Sequence, residues 1–236
     1  MDLVYSYTAF LAAYLIGSLS FAVIVSKLMG LNDPRHYGSK NPGATNVLRS
    51  GNKKAAVLTL LLDALKGFVP VLIVTYFSFE LGFEDPTIAF VGVAAFLGHL
   101  FPVFFRFQGG KGVATAAGVL MAFEPLLGGG VLLTWIAVAA ALRYASLASV
   151  VAAVVAPFGM LMFFDRPIIA LAVSVMSLLL IWRHWRNIVK LLAGTESRIG
   201  DKAEATDPGR KRRRRVRRLH EDASPVAQHP PRSKGN

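Results

Sequence analysis

Residues 98–115 read GHLFPVFFRFQGGKGVAT, a glycine-rich loop carrying one lysine and set between two apolar segments. Glycine lets a backbone bend until several N–H groups point at one spot, and the residues that follow can open a helix whose positive end faces the same spot. Lys111 adds a full charge there. Gly109, Gly110 and Gly112 are therefore expected to hold a phosphate through their N–H groups, in a cradle at a membrane surface. The apolar flanks decide the fold class, because they belong to a series of similar runs along the whole chain.

Of 236 residues, 54% are hydrophobic and only 17% charged, too apolar for an ordinary soluble domain. The runs reach the roughly 20 residues needed to cross a bilayer. Spans are expected at about 3–27, 54–79, 86–105, 112–124, 126–143, 146–164 and 167–185, the fourth unusually short. The predicted fold is an all-α polytopic membrane protein, a seven-helix bundle over residues 1–199. No Lys or Arg precedes Lys27, so the first run reads as a retained span and not a cleaved signal.

Every second connection is basic. Lys27, Arg35, Lys40, Arg49, Lys53 and Lys54 fall in the first, Arg106 and Lys111 in the third, Arg143 in the fifth, and Arg183 begins the last. The others hold Glu80, Glu84, Asp85, Glu124 and Asp165, with Arg166 as their one basic residue. The positive-inside rule then places the N-terminus outside and the C-terminus in the cytoplasm, with every motif-bearing loop on the cytoplasmic face.

Residues 200–236 lose the apolar pattern, and Arg210–Arg218 packs eight basic residues into nine positions. Such a tail cannot bury a core and is expected to be disordered, drawn to anionic lipid and not to nucleic acid. It supplies much of the net charge of +12, which therefore says little about the substrate.

Three further polar islands accompany the glycine loop. The first, Tyr37–Arg49, is dense in turn-forming and hydrogen-bonding residues, and Arg49 offers a planar fork suited to phosphate. It reads either as an oxyanion site or as a solvated loop that caps the second span. Asp63 and Lys66 lie three apart on one helical face, inside the expected membrane boundary. Lys66 reads as a substrate contact or as half of a structural ion pair, with Asp63 its support. At the chain's last span, Trp182–Asn187 puts His184 and Asn187 on one face, or forms an aromatic and basic interfacial belt. Ser146 and Ser149 open onto the same side at the start of the sixth span.

The combination and order of these stretches resemble the bacterial acyl-phosphate:glycerol-3-phosphate acyltransferase family, PlsY. The matching segments are GSKNPGATNVLR from Gly38, DALKG from Asp63, the quoted loop from Gly98, SLAS from Ser146 and RHWRNIVKLLAGTE from Arg183. The resemblance covers Leu3 to Glu196. It implies a seven-span enzyme of the bacterial inner membrane, acting in phospholipid biosynthesis. Such an enzyme moves a fatty acyl group from acyl phosphate to the 1-hydroxyl of glycerol 3-phosphate, giving lysophosphatidic acid and phosphate, without cofactor or metal. It implies a catalytic set of Ser39, Arg49, Lys111, His184 and Asn187. Substrate-binding positions would be Asn41, Gly43, Thr45, Asn46, Lys66, Gly109, Gly110, Gly112, Ser146 and Ser149, supported by Asp63, His99 and Glu196. Expected partners are the two substrates, membrane lipids and the enzyme that makes acyl phosphate, but no nucleic acid. Two departures stand out: Gln108 where the family has lysine, and Lys40 where it has glycine.

Acyl phosphate is an activated mixed anhydride, so positioning and charge compensation suffice without a covalent nucleophile. Two phosphoryl groups bring about three to four negative charges, to be countered by Arg49, Lys111 and helix N-termini, with Lys66 joining them if it is a substrate contact. The chain contains no cysteine, no GxSxG elbow, no Walker loop and no HExxH helix, and its five histidines are scattered. A transporter for an organic phosphate would also use glycines and basic residues at broken helices, but would place them near mid-bilayer and not at one edge. A scaffold recruiting partners through the tail would leave the glycine loop unused.

Overall fold

The structure, a computed structural model, describes residues 2–201. The expected disorder and lipid contacts of the basic tail fall, from residue 202 onward, outside the described residues. All regular structure among the described residues is helical: α1 (Asp2–Gly17), α2 (Phe21–Leu28), α3 (Ala44–Leu48), α4 (Lys53–Tyr76), α5 (Ser78–Leu81), α6 (Asp85–Leu100), α7 (Val113–Phe123), α8 (Pro125–Leu142), α9 (Ala145–Phe163), α10 (Pro167–Arg183) and α11 (Trp185–Leu192). A short 3₁₀ turn, Val103–Phe105, follows α6.

Four segments are each long and apolar enough to cross a bilayer: Lys53–Tyr76, Asp85–Phe105, Pro125–Leu142 and Ala145–Phe163. The first and last expected spans are bent pairs, α1 with α2 at 45° and α10 with α11 at 56°, which bring the number to six if each pair is one span. The expected fourth span is α7, whose 11 residues reach about 16 Å against a hydrocarbon core of roughly 30 Å. By length alone α7 does not cross. Its two ends nonetheless lie level with those of α6: Thr115 stands beside His99 near the end of α6, while Glu124 meets the same arginine as Asp85 at the start of α6. The glycine loop dips back toward the bundle before α7 begins.

The most enclosed element is α6, with 61% of its spanning window buried against 22–39% for the other three. It packs on α1, α4, α7 and α10. Small residues permit the close crossings. A Cβ on Gly17 would lie 2.2 Å from the Ala95 carbonyl oxygen and one on Gly98 2.4 Å from that of Tyr14, locking α1 to α6. Gly67 and Gly118 do the same for α4 and α7, at 2.3 Å from the Thr115 and 2.0 Å from the Ala64 carbonyl oxygens. In an apolar solvent, this backbone approach replaces the hydrophobic effect as the source of packing energy. Leu126, Leu133, Phe158, Met162, Leu171 and Leu178 stay exposed, a surface suited to lipid.

At the end of the bundle opposite the glycine loop, Arg166 binds Asp85 at 2.5 Å and Glu124 at 2.9 Å. The single basic residue of the acidic connections thus ties three of them together. Its partners hold the Arg166 guanidinium above its ordinary pKa, chiefly through the Asp85 hydrogen bond.

Candidate active site

Past the 3₁₀ turn the chain reverses through Arg106 and Phe107, both left-handed at φ 54° and 59°, and lays Gly109 and Gly110 flat on the end of α6. A Cβ on Gly109 would sit 2.2 Å from the His99 carbonyl oxygen; one on Gly110 would sit 2.2 Å from His99 Nε2 and 2.9 Å from the Pro42 carbonyl oxygen. Gly112 needs φ +85° and packs on Phe96. The glycines are there because nothing larger fits. Their polar groups are committed too: the Gly110 N–H donates to the His99 carbonyl at 3.1 Å. Arg183 donates to the carbonyls of Gly109 (2.9 Å) and Gly110 (2.9 and 3.1 Å). This corrects the expectation that Gly110 offers its N–H to a phosphate, because that donor is spent on α6.

Lys111 leaves the loop with its Nζ donating to Asn187 Oδ1 at 2.6 Å. Asn187 lies on α11, just past the bend, and passes its own Nδ2 to Glu196 Oε1 at 2.6 Å. The same carboxylate oxygen accepts from Ser146 Oγ at 2.9 Å, at the start of α9. Arg49 reaches the same strand of chain by a short hydrogen bond from Nη2 to Ser197 Oγ. Four segments far apart in sequence therefore meet through Arg49, Lys111, Ser146 and the stretch that carries Asn187, Glu196 and Ser197. Burial pushes the Lys111 ammonium down to about 8; Glu196 opposes this, while Arg183, Arg49 and Lys190 add to it. One carboxylate facing four cations leaves an excess of positive charge, which suits an anion.

His184 caps α10 at its break and is buried. Its Nδ1 lies 2.8 Å from the Leu180 carbonyl, an acceptor only, so Nδ1 carries the hydrogen. In the neutral ring Nε2 then holds a lone pair. Ser149 is engaged by Trp135, whose Nε1 donates to its Oγ at 3.0 Å.

The first island docks on this assembly through the Pro42 carbonyl, beside Gly110, and through Arg49. Asn46, proposed to bind substrate, is buried and used internally. Its Oδ1 accepts from the Ser39 N–H at 2.9 Å, and its Nδ2 donates to the Pro34 and Tyr37 carbonyls at 2.7 and 3.2 Å. Asn46 shapes the loop. Ser39 is exposed, with its hydroxyl unbonded among the described residues, next to Gly38, where an added Cβ would lie 3.2 Å from Arg49 Cδ. Asn41 and Gly43 are half-buried and Thr45 exposed. Lys40 sits at φ +57°, a left-handed position that explains why glycine is usual there. Gln108 is exposed.

Lys66 is placed elsewhere. It is buried, paired with Asp63 at 2.8 Å, and donates to the Leu19 carbonyl at 2.6 Å, where the break between α1 and α2 frees that acceptor. His99 Nδ1 stands 3.1 Å from Thr115 Oγ1 and 3.6 Å from Asp63 Oδ1. Asp63, Lys66 and His99 thus form an internal cluster beneath the glycine loop, and Lys66 makes no contact with Lys111, Asn187 or Arg49. The structural alternative for this pair matches its surroundings.

Sequence reasoning missed Arg183 and Ser197. Arg183 stood next to the singled-out His184, but adjacency said nothing of the loop 73 residues earlier. Ser197 lies 148 residues from Arg49, just past the last recognised motif.

A family profile described as "Glycerol-3-phosphate acyltransferase" matches residues 7–194. A glycerol-3-phosphate acyltransferase of Paraburkholderia phymatum is 63% identical over 193 residues, covering 82% of this chain and 92% of its own. One from Burkholderia orbicola is 62% identical over 206 residues, covering 86% and 97%. The fold is similar to a crystal structure of PlsY (YgiH), an integral membrane glycerol 3-phosphate acyltransferase in its glycerol 3-phosphate form. The TM-score is 0.78 at 41% identity, over 83% of this chain and 96% of that one. The lysophosphatidic acid form of the same enzyme gives 0.76 at 40% identity, with the same coverage.

Proposed function

Since the chain belongs to the glycerol-3-phosphate acyltransferase family and is a multi-pass membrane enzyme of that kind, we propose that its acyl donor is acyl phosphate and its product lysophosphatidic acid. The observation that carries this reading is the convergence of Arg49 and Lys111 on one polar assembly with Asn187, Glu196 and Ser146. That assembly compensates phosphate charge, and the chain holds no cysteine for a thioester intermediate. Arg49 and Lys111, the latter through its side chain and its N–H, grip the phosphate of glycerol 3-phosphate, while unpaired N–H groups from Gly112 into the first turn of α7 face the phosphate of the donor.

The 1-hydroxyl oxygen attacks the acyl carbonyl carbon and the carbon–oxygen bond to phosphate breaks. The hydroxyl proton leaves on an oxygen of the departing phosphate, so no charged side chain has to change state. His184 Nε2 and Asn187 orient the hydroxyl, with Ser39 at the outer rim. Asn41, Gly43 and Thr45 line the rim, and Ser149 sets the wall through Trp135. The acyl chain lies among the helices, reached from the bilayer, in the inner membrane of a bacterium. The seven-span count is supported by α7 running from the loop end of α6 to the Asp85–Arg166–Glu124 end, and an outside N-terminus with the site in the cytoplasm by the basic residues of every second connection. An enzyme that makes acyl phosphate is the natural supplier.

The test is the detergent-solubilised full chain supplied with glycerol 3-phosphate and either acyl phosphate or acyl-CoA. Lysophosphatidic acid and inorganic phosphate should form in equal amounts with the first and not with the second. Turnover with acyl-CoA alone would refute the donor assignment.

A further inference from the structure

Among the described residues, Arg183 is the side chain that hydrogen-bonds the carbonyls of Gly109 and Gly110, and nothing in the reaction above calls on it. Its guanidinium bridges two successive carbonyls, Gly109 and Gly110, with three hydrogen bonds of 2.9–3.1 Å. Phe101 and Trp182 hold the cation, their ring centres 6.0 and 5.9 Å away. The Lys111 peptide lies between Gly110 and Gly112, where backbone rotation meets little steric resistance. A loop of this kind has several peptide orientations of similar energy, and only some of them present donors to a phosphate.

The clamp selects one. In a trans peptide the C=O and N–H of one unit point in opposite directions. With the Gly109 carbonyl on Arg183, the Gly110 N–H turns the other way and meets the His99 carbonyl. With the Gly110 carbonyl on Arg183, the Lys111 N–H likewise turns away from the guanidinium, and no backbone acceptor among the described residues takes it. The carbonyl oxygens, which would repel an anion, are at the same time covered by a cation.

We propose that Arg183 is a positioning residue for the phosphate site, holding the Gly109 and Gly110 carbonyls so that the N–H and side chain of Lys111 face bound glycerol 3-phosphate. A guanidinium has the planar fork to bridge both carbonyls and an ammonium does not, so lysine is a poor replacement. This rests on glycerol 3-phosphate binding beside Lys111, and not on which acyl donor is used.

The experiment compares Arg183→Gln and Arg183→Lys with the parent full chain in detergent. Calorimetric titration with glycerol 3-phosphate alone needs no donor, so it still reads if the acyl-phosphate assignment fails. Arg183→Gln should weaken binding and raise KM for glycerol 3-phosphate about tenfold or more, with kcat changed less than about threefold. Arg183→Lys, which keeps the charge, should recover only part of that loss. The alkaline limb of kcat/KM should also move to higher pH in Arg183→Gln. It removes one of the cations around Lys111, where Arg49, Lys190, His184 and the carboxylate of Glu196 remain. Unchanged binding in Arg183→Gln would overturn the proposal, as would full recovery by Arg183→Lys. If the Gln variant does not fold, parent-like binding and KM in the Lys variant overturn it and a raised KM upholds it.

Discussion

Raising the pH through the Lys111 titration tests the site without changing an atom of its packing. Burial holds this ammonium down to about 8, with Arg183, Arg49 and Lys190 pushing the same way and Glu196 resisting. At pH 7 about nine-tenths of the free enzyme carries the charge, and at pH 9 about one-tenth. Substrate phosphate, with a second pKa near 6, is already a dianion over this range. The only partner lost is therefore the lysine. A plot of log kcat/KM for glycerol 3-phosphate should be flat from about pH 7 to 8, then fall by one unit per pH unit, about 1.4 kcal/mol each. The dianion stabilises the ammonium once bound, so the corresponding limb in kcat should lie at higher pH. Stability moves in the opposite sense. A lysine depressed in the fold binds fewer protons than its unfolded counterpart between about 8 and 10.5, so in that window this group makes the fold more stable as pH rises. A fall in kcat/KM that merely tracked unfolding would thus have the wrong sign for this group. The assay is initial rate against glycerol 3-phosphate at saturating donor from pH 6.5 to 9.5, with melting temperature recorded alongside. A kcat/KM that stays level through pH 9.5 would refute the placement of a buried, phosphate-gripping Lys111.

Lys111→Ala and Arg49→Ala should each cost about 3–4 kcal/mol of transition-state stabilisation, a fall of 10²–10³ in turnover or more, with near-parent melting; retained activity in either would remove that residue from the site. Gly110→Ala drives a methyl to 2.2 Å from His99 Nε2 and 2.9 Å from the Pro42 carbonyl, so it should lower both melting temperature and activity. Melting curves and initial rates check this together. Lys40→Gly should raise stability by about 1 kcal/mol, because a non-glycine residue at φ +57° is strained by roughly that much; denaturant titration would show a higher midpoint at unchanged activity.

The features legible in the linear chain were those that depend on near neighbours. Apolar runs announce helices of membrane length because the bilayer forces every buried N–H and C=O into local pairing. The islands around Arg49, Lys111 and His184 were visible as polar interruptions, and the short α7 as a run of too few residues. Helical spacing placed Asp63 with Lys66 and His184 with Asn187. It did not say what lay opposite each face.

Tertiary structure decided that. Lys66, within α4, and Arg49, just before it, are both basic residues, yet one closes on Asp63 and the Leu19 carbonyl while the other reaches Ser197. The glycines at 109 and 110 signalled a phosphate cradle, and contact with His99 and Pro42 shows that tight packing also demands them, with the Gly110 N–H spent on α6. Arg183 acquires its task only when α10 ends beside a loop 73 residues away. The physical reason is range: hydropathy and helical period act over one or two turns of chain, whereas the direction of a hydrogen bond depends on which distant backbone arrives within about 3 Å.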